Sequence, residues 1–398
     1  MQQLKGVVKH YDWGSRTAIP AILGLPEDGL RYAEYWLGTH PAGTALVGIN
    51  EMPLSDFMSA RADLLSAESG SSVANTDYGT GLPYLLKILA AEKPLSLQAH
   101  PDARQAAAGF AAENAAGVPV DAPERNFRDP HHKPEIVVAL TTFEALSGFR
   151  APRETLRLFS GLGMDESVLE TFLAPLRMRE GEPAMAEVFL DALTGSRAEL
   201  LTEVVVAAVA HENDSGELGE FARVILTLDE HYPGDQSLLA ALLLNHVVLQ
   251  PGEGLYTAAG VLHAYMRGTG IEVMAASDNV LRGGLTHKHI DHAVLADVMQ
   301  FSSVSPVLVA PVMEAVGCGR YPVPADEFSL WRLEVTGKPT WTLPGSTANR
   351  VLLVVSGELQ CGNDDGTTLT LSQGQAAFIF AEEQIWLAGE ALAFVVAG

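Results

Sequence analysis

Short strand-like runs separated by glycine, proline or aspartate fill most of the chain outside one central stretch. Residues 134–140 and 351–355 are two such runs of mainly apolar side chains. The 398 residues include 37 glycines and 22 prolines spread along the chain, so turns can follow the runs closely. Many short strands joined by turns are typical of a sandwich or a barrel, and a jelly roll is a standard arrangement of this kind. The sequence therefore predicts a mainly β protein.

Apolar residues with helical spacing set residues 151–244 apart from the rest of the chain. Within this stretch, Ser196 and Glu199 have the spacing of a capping box and predict the start of a helix. Shorter helices are predicted at residues 56–66 and 101–116. A chain of this length exceeds what one hydrophobic core usually organises. We expect three units, which are a discontinuous β domain of residues 1–150 and 245–310, a helical insertion of residues 151–244, and a second β domain of residues 311–398.

The charge of the chain argues against polyanionic partners. Lys and Arg number 25 against 49 Asp and Glu, which gives a formal net charge of −24. Nucleic acids and anionic membrane surfaces attract proteins of the opposite sign, so neither is an expected partner. An anionic small molecule would need a local cluster of basic side chains.

The expected location is the cytoplasm of the cell, in soluble form. The first residues lack the apolar stretch of a signal peptide, and no uninterrupted apolar run approaches the roughly 18 residues of a membrane span. Two cysteines, Cys318 and Cys361, are too few for a disulfide framework. We expect both to be reduced residues that pack in the interior.

Three polar side chains share one face of a predicted strand at residues 95–100. Side chains alternate along a strand, so Ser96, Gln98 and His100 point to the face opposite Leu97. A strand with one face in solvent would show the same pattern. The polar face gains interest because three other segments of the chain offer similar groups.

A lysine and a carboxylate enter a second predicted strand together. Pro134 favours extended backbone at Lys133, so Lys133 and Glu135 should share a face at the edge of a strongly apolar run. A surface ion pair is the alternative interpretation.

His263, which lies between two strand-like runs, is by itself most easily interpreted as a core or loop histidine. Together with Gln98, His100 and Glu135 it supplies one amide oxygen, two imidazoles and one carboxylate. Borderline divalent metals accept such a set of nitrogen and oxygen ligands. A zinc ion there would keep a net charge of +1, because Glu135 alone neutralises it, and that charge favours Lewis-acid action on a substrate oxygen.

A fourth segment adds a carboxylate and two cations. Glu272 is the one charged residue of an apolar run, and Arg282 lies between turn-forming residues. Arg282 and Lys288 could form the basic cluster that an anionic ligand needs in this acidic chain. A buried carboxylate near a metal and an arginine suits proton transfer next to a carbonyl. A loop ion pair is the alternative.

Structural interpretations are given to two tryptophans and to five other histidines, which are His10, His40, His132, His231 and His246. His287 and His289 lie two residues apart, but no third ligand is suggested near them, so we do not expect a metal pair. Trp13 and Trp36 are expected to pack beside the site.

Several segments, taken together and in order, resemble those of the type I mannose-6-phosphate isomerase family (phosphomannose isomerases) of the cupin superfamily. The resemblance extends from near the N-terminus to about residue 295, whereas the last hundred residues match only in their β character. The segments that carry it, which include QAHP, HKPE and SDNVLRGGLT, are residues 11–15, 33–41, 85–87, 94–102, 126–136 and 251–291.

The resemblance implies a fold, a cofactor and a set of site residues. The fold is a jelly-roll cupin catalytic domain with a helical domain and a C-terminal cupin-like β domain. The cofactor is one zinc ion per chain, bound by Gln98, His100, Glu135 and His263. The resemblance also places Arg282 in the active site with Lys133 and Glu272 beside it, and its candidates for the phosphate end are Ser96, Lys87 and Lys288.

Two positions depart from the family pattern. Leu262 replaces the usual proline before the third ligand histidine, and His287 replaces the proline that commonly precedes the lysine at position 288. Losing a proline changes backbone stiffness, which weakens the assignment of Lys288 to phosphate binding. Neither change removes a metal ligand.

The expected function is the reversible interconversion of mannose 6-phosphate and fructose 6-phosphate through an enediol, within mannose metabolism, by a protein that we expect to be a monomer. Glu272 is the candidate base, and Arg282 with Lys133 would stabilise developing oxyanion charge. Two alternatives are an iron-dependent dioxygenase of the cupin type and a sugar-phosphate sensor without catalysis. Oxygen consumption would reveal the first alternative, and binding without deuterium exchange at C1 or C2 would reveal the second.

Overall fold

The computed structural model of the protein describes residues 1–69, 78–79, 81–345 and 347–398. The helices of these residues are, in chain order, α1 Ala18–Leu23, α2 Leu54–Ser69, α3 Ala103–Ala115, α4 Pro152–Gly161, α5 Glu166–Met178, α6 Glu182–Thr194, α7 Ala198–His211, α8 Glu217–His231, α9 Ser237–Ala241 and α10 His292–Val298.

Strands precede and follow the helices of residues 151–244, as the turn-rich sequence predicts. They are β1 Gln2–Lys5, β2 Val7–Lys9, β3 Glu34–Leu37, β4 Leu46–Val47, β5 Met52–Pro53, β6 Tyr84–Ala91, β7 Leu97–Ala99, β8 Glu135–Ala139, β9 Phe143–Phe149, β10 Leu244–Leu249, β11 Gly254–Thr257, β12 His263–Ala275, β13 Leu281–Gly284, β14 Val307–Val309, β15 Val312–Ala315, β16 Cys318–Tyr321, β17 Ser329–Thr342, β18 Arg350–Asn363, β19 Thr368–Ser372, β20 Ala376–Ile379 and β21 Ile385–Ala397.

The described strands form two sheets, and the first is built around the long strand β12. Its main order is β14-β11-β8-β12-β6-β3-β2, with β7, β9, β10 and β13 attached beside it. The second half of β12 lies between β6 and β8, whereas its first half pairs with β9 and, at His263, with β7. The two halves of β12 therefore meet different neighbours.

Gly268 lies where β12 changes neighbours. Its φ is +130°, and a Cβ atom there would lie 2.7 Å from the carbonyl oxygen of Thr142. Glycine adopts this conformation without the steric cost that other residues meet. This position therefore lets one strand serve both parts of the first sheet.

The second sheet takes strands from both ends of the chain. Its order is β15-β16-β17-β21-β18-β20-β1-β4-β5, with β19 paired to β18. Residues 2–4 of β1 pair with residues 376–378 of β20. The sequence-based division assigns residues 1–150 to the first β domain, yet β1, β4 and β5 hydrogen-bond within the second sheet. That division into three domains stays a prediction.

The two sheets share a hydrophobic core. Ile88 and Ile136 of the first sheet belong to the same buried cluster as Val351, Phe378 and Phe394 of the second sheet. Each of these side chains is fully buried. Burial of such a side chain stabilises a fold by about 1.5–3 kcal/mol. The sheets therefore depend on each other for stability.

Helices α4 to α9 pack against the back of the strands that carry the polar face. Leu97, Ala99 and Leu281 belong to the same core cluster as Phe159, which lies on α4. Tyr232, just after α8, donates a hydrogen bond of 2.7 Å from its hydroxyl to the carbonyl oxygen of Pro94. The helices predicted in residues 151–244 thus cover the apolar face of β7.

The predicted capping box at Ser196 is wrong. Helix α7 begins at Ala198, and its N-cap is Arg197, which makes no side-chain capping bond. The sequence pattern failed because the chain enters the helix one residue later than the capping geometry requires. A capping box forms instead at Asp102 and Gln105, at the start of α3.

Both cysteines are buried and free, as the sequence predicts. The predicted helix at residues 101–116 is α3, and the one at 56–66 lies within α2. Among the described helices, each falls short of the length and hydropathy that a membrane crossing requires.

Candidate active site

Three strands of the first sheet carry or border the four predicted metal ligands. β7 carries Gln98 and ends just before His100, β8 begins with Glu135, and β12 begins with His263. His263 and Gln98 are direct partners in the register of β12 and β7. As alternation predicts, Leu97 is buried in the core whereas Gln98 lines a cavity on the other face.

The ligand atoms of His100, Glu135 and His263 lie within 4.8 Å of one another. Nε2 of His263 is 2.9 Å from Oε1 of Glu135, and Nε2 of His100 is 3.4 Å from Oε2 of the same carboxylate. All three residues are buried. Two imidazoles and one carboxylate at such distances have the chemistry and the spacing of a divalent metal site.

Hydrogen bonds orient both imidazoles. Nδ1 of His100 lies 2.7 Å from the carbonyl oxygen of Asn279, and Nδ1 of His263 lies 3.0 Å from that of Val261. A carbonyl accepts only, so in each neutral ring Nδ1 carries the hydrogen and Nε2 keeps a free lone pair. Metal-binding histidines commonly have such a carbonyl partner, which sets the tautomer.

The charges in the site keep these groups in the forms that bind a metal. Burial, together with the positive charge of Lys133, lowers the pKa of His100 to about 4, so its imidazole is neutral at pH 7. Burial alone would raise the pKa of Glu135, but Lys133 and His100 outweigh it and hold that pKa well below its usual range. Glu135 is therefore a carboxylate at pH 7.

Lys133 lies against the same group and also lines the cavity. Its Nζ donates a 2.7 Å hydrogen bond to Oε2 of Glu135 and lies 3.3 Å from Nε2 of His100. The predicted shared face of Lys133 and Glu135 is thus present, and the pair is buried. The alternative of a surface ion pair is wrong for these two residues.

Lys87 is paired with two buried carboxylates. Its Nζ lies 2.8 Å from Oε2 of Glu272 and 3.4 Å from Oε1 of Glu34. Burial opposes the charge of Lys87, but Glu272 and Glu34 outweigh it and raise its pKa. The predicted role at the phosphate end does not agree with this geometry, because the ammonium already has two counter-charges. The resemblance could not foresee this, since Glu34 lies far away in sequence.

Arg282 and Lys288 also line the cavity, and within the described part of the chain neither has a carboxylate at ion-pairing distance. Burial and the charge of Arg128 lower the pKa of Arg282, and burial with the charges of Arg282 and Arg128 lowers the pKa of Lys288. Asp12 acts in the opposite direction on Lys288, but the charges of Arg282 and Arg128 outweigh it, and such a cluster of like charges attracts an anion. Ser96 lines the same cavity.

The cavity has a volume of about 510 Å³. Trp13 and Trp36 lie in its wall, as predicted, and so does His287. Lining residues that the sequence analysis missed or gave a structural interpretation are Tyr11, Asp12, Glu34, His40, Lys93, His231, Tyr232 and Asp278. The signal used for Glu272, a lone carboxylate beside apolar residues, would also have pointed to Glu34, which begins β3 ahead of two aromatic residues and a leucine.

Among the described residues, the group of potential metal ligands that lie within 4.8 Å of one another is His100, Glu135 and His263, and it includes neither His287 nor His289. His40, in contrast, lies in the site region: its Nε2 is 3.1 Å from Oδ1 of Asp278. Its structural interpretation therefore understated its position. No feature of its sequence neighbourhood identifies Asp278 as its partner.

Comparison with known proteins places the whole chain beside one group of enzymes. Residues 1–152 match the family model described as phosphomannose isomerase type I, catalytic domain. Mannose-6-phosphate isomerase of Salmonella typhimurium is 36% identical over 386 residues, covering 96% of this chain and 95% of the relative. The human mannose-6-phosphate isomerase is 30% identical over 413 residues, covering 96% and 94%.

Solved structures give the same result. A zinc-bound mannose 6-phosphate isomerase is similar with a TM-score of 0.86 and 34% identity, covering 100% of this chain and 99% of that one. A second structure, bound with zinc and yttrium, has a TM-score of 0.85 and 32% identity, with the same coverage. This similarity confirms the predicted fold class, a mainly β cupin fold with added helices.

Proposed function

This chain belongs to the type I phosphomannose isomerase family, and from that premise we propose that it interconverts mannose 6-phosphate and fructose 6-phosphate. In the reaction, the hydrogen at C2 of the aldose leaves as a proton and returns to C1, while a hydroxyl proton moves between the two oxygens. The bonding electrons of C2–H pass through an enediol, so no external oxidant or reductant is needed. A sugar that carries one anionic group also fits a cavity lined by the cations Lys133, Arg282 and Lys288.

We propose that Gln98, His100, Glu135 and His263 hold one zinc ion. The donor set fits zinc because both imidazoles present Nε2, the carboxylate is ionised, and the three groups lie within 4.8 Å. When bound, zinc supplies Lewis-acid polarisation of a sugar oxygen. Gln98 joins the set through its register with His263 and its position in the cavity wall.

The proposed roles of the other site residues follow from their contacts with the cavity. Lys133 and Arg282 line it as cations and would stabilise negative charge on the sugar oxygens. Glu272 remains the candidate base, but it does not line the cavity, whereas its partner Lys87 does. The carboxylate therefore reaches the sugar only if the ion pair with Lys87 opens when substrate binds.

We propose that Arg282 and Lys288, with Ser96, receive the phosphate group. The two cations have no carboxylate partner among the described residues, so they can neutralise a phosphate without breaking an existing ion pair. Lys87 is not assigned to the phosphate, because Glu272 and Glu34 already neutralise its charge.

The convergence of His100, Glu135 and His263 is the observation that carries the proposed function. The test is a coupled assay with fructose 6-phosphate before chelation, after chelation and after return of zinc. Activity should disappear on chelation and return with zinc. Full activity in metal-free protein would overturn the zinc assignment, and zinc-loaded protein without isomerisation would overturn the function.

Two substitutions, one at Glu272 and one at Lys133, test which residue moves the proton. A general base contributes about 10²- to 10⁴-fold to the rate, so Glu272→Gln should lower kcat by that order with zinc still bound. Near wild-type turnover in zinc-loaded Glu272→Gln would exclude Glu272 as the base. Lys133 would then be the cavity-lining group to test, by Lys133→Met.

Neither alternative function is favoured, because the relatives that cover nearly the whole chain are isomerases. A cytoplasmic location, a monomeric state and a place in mannose metabolism stay predictions. Size-exclusion chromatography with light scattering would test the oligomeric state.

A further inference from the structure

A histidine next to Lys133 is held by a carboxylate from the distant C-terminal part of the chain. Nε2 of His132 lies 2.5 Å from Oε1 of Glu327, which is 195 positions further along. The His132 side chain is 33% exposed and that of Glu327 is 11% exposed. The contact therefore joins the two β parts of the chain at the edge of the active site.

Packing and hydrogen bonds of neighbouring residues fix the position of Glu327 in the C-terminal part of the chain. Phe328, the next residue, is buried in the core that the two sheets share. Gly398 packs onto the backbone of Glu327 so closely that a Cβ atom at position 398 would lie 2.0 Å from the Glu327 carbonyl oxygen. Upstream, the hydroxyl of Tyr256 donates a 3.3 Å hydrogen bond to the carbonyl oxygen of Pro324. Glu327 can thus act as a fixed point.

Within the part of the chain that the structure describes, backbone hydrogen bonds fix the segment that carries Lys133 at its two ends. The carbonyl oxygen of His131 accepts a 2.8 Å hydrogen bond from Asn279, and that of Pro134 accepts a 3.0 Å bond from the amide of Ala275. Between them, the backbones of His132 and Lys133 make no hydrogen bond to another described residue. Among the described residues, therefore, side-chain contacts alone hold His132 and Lys133.

We propose that Glu327 is a positioning residue for the isomerisation, because it holds His132 and thereby sets the place of the Lys133 ammonium at the cavity wall. The inference rests on the proposed function, in which Lys133 stabilises charge on the sugar. Side chains alternate along extended backbone, so His132 points away from the cavity while Lys133 points into it. A displacement of about 1 Å in an active site can lower the rate by about 10²-fold, so loss of the contact between His132 and Glu327 should have a measurable effect.

The charges around His132 favour its protonated form. Glu327 raises the pKa of His132, burial opposes this, and Asp326 and Asp102 add smaller effects in the same direction as Glu327. Lys133 is the cationic neighbour along the chain. A group with a raised pKa keeps its ion pair below its ordinary pKa of about 6.5 and loses it as pH rises through the raised value. The contact between His132 and Glu327 should therefore weaken at alkaline pH.

The experiment compares zinc-loaded full-length protein with Glu327→Gln, His132→Gln and the double variant. Each single substitution should lower kcat by about 10-fold while zinc content and KM for fructose 6-phosphate change little. The double variant should lose no more than either single variant, because both remove one interaction. The difference between wild type and Glu327→Gln should shrink as pH rises through the pKa of His132.

Asp326→Asn is the matched control, since it removes a neighbouring carboxylate that contributes only through its charge to His132. It should keep wild-type kcat at neutral pH. Wild-type kcat in either single variant, additive losses in the double variant, or a loss of equal size at every pH would overturn the inference. If Glu327→Gln does not fold, His132→Gln decides the matter by the same readouts.

A second readout separates this inference from the proposed function. The rate of Lys133 acetylation, followed by mass spectrometry, should rise in Glu327→Gln and His132→Gln but not in Asp326→Asn, because a loosened segment exposes the ammonium. An unchanged rate would also overturn the inference. Wild-type protein that fails to isomerise would end the proposed function, whereas active wild type with equally active Glu327→Gln would end only the positioning role.

Discussion

At the scale of single residues, Lys87 has the surroundings that differ most from expectation. The family resemblance suggests a phosphate contact, but the ammonium lies between the buried carboxylates of Glu34 and Glu272. Glu34 also accepts a 2.9 Å hydrogen bond from Nε1 of Trp36. The lysine therefore compensates two negative charges that the low-dielectric interior would otherwise destabilise.

Lys87→Met should destabilise the protein by about 3–5 kcal/mol at pH 7, because it leaves two buried carboxylates without a counter-charge. Urea unfolding measures this change in the free energy of unfolding.

Lys5→Met is the matched control for Lys87→Met. Lys5 forms a 2.6 Å ion pair with Glu51, but both side chains are exposed. Solvent and salt screen such a pair, so the substitution should change the free energy of unfolding little. Equal effects of the two substitutions would show that burial of the Lys87 network contributes nothing.

At the scale of secondary-structure elements, the ends of helices and the pairing of strands set the positions of the site residues. Helix α3 begins three residues after His100, and the capping box of Asp102 and Gln105 fixes its first turn. The side chain of Asp102 accepts a 2.7 Å hydrogen bond from the amide of Gln105, and the Gln105 side chain accepts one from the amide of Asp102 at 2.9 Å.

Asp102→Ala should cost about 1 kcal/mol in the free energy of unfolding, as the loss of an N-cap typically does. Ser196→Ala, at the position where the sequence suggested a capping box, should cost much less because no cap forms there. Urea unfolding of both variants measures the difference. A larger cost for Ser196→Ala would contradict the helix start described for α7.

Glu144 connects three strands at the edge of the first sheet. The imidazole of His246 on β10 and the guanidinium of Arg267 on β12 hold the pKa of this β9 carboxyl at about 2. Oε1 of Glu144 lies 2.5 Å from Nη2 of Arg267. A carboxyl with a lowered pKa stabilises the fold above its ordinary pKa, and this contribution is lost as pH falls through the folded value.

Glu144→Gln should therefore lower the free energy of unfolding at neutral pH, and its difference from wild type should vanish as pH falls from about 4.3 toward the folded pKa. Denaturant unfolding at a series of pH values measures this. Glu187→Gln is the control, since the ion pair of Glu187 with Arg179 is exposed on both sides. A constant difference across this pH range would contradict the assignment.

At the scale of the whole molecule, the two β sheets do not have separate hydrophobic cores. Val351 and Phe394 of the second sheet pack in one cluster with Ile136 of the first. Fully buried Tyr84 of β6 also donates from its hydroxyl to the carbonyl oxygens of Asn349 and Val396, at 3.2 and 3.1 Å. The second sheet thus supports the strands from which the site residues project.

A chain that ends at residue 310 should fail to fold. It would expose one side of the shared core, where each large side chain contributes about 1.5–3 kcal/mol, against a typical total stability of about 5–15 kcal/mol. Circular dichroism and size-exclusion chromatography of the fragment measure the outcome. A monomeric fragment that unfolds cooperatively would contradict the dependence of the sheets on each other.

The complete chain with a protease site inserted between residues 310 and 311 provides the control for this truncation. After cleavage both parts remain present, so the shared core should keep them together during chromatography. Separation into two folded pieces would show that each sheet has a sufficient core of its own.

Local patterns in the sequence determined the secondary structure and the chemistry of the donors. Alternation placed Ser96, Gln98 and His100 on one face, and helical spacing identified residues 151–244, because both patterns arise from side chains close together along the chain. The set of donors suitable for zinc was likewise identified from the sequence, because ligand preference depends on the type of side chain.

Tertiary structure alone decided which distant groups meet. The pairing of Lys87 with Glu34 and Glu272, the place of Asp278 beside His40 and the contact of His132 with Glu327 depend on strand register and on packing between sheets. No local pattern encodes such contacts, because the free energy that selects a partner comes from the burial of many residues that are distant in sequence. The sequence thus specified the donors, and the fold brought them together.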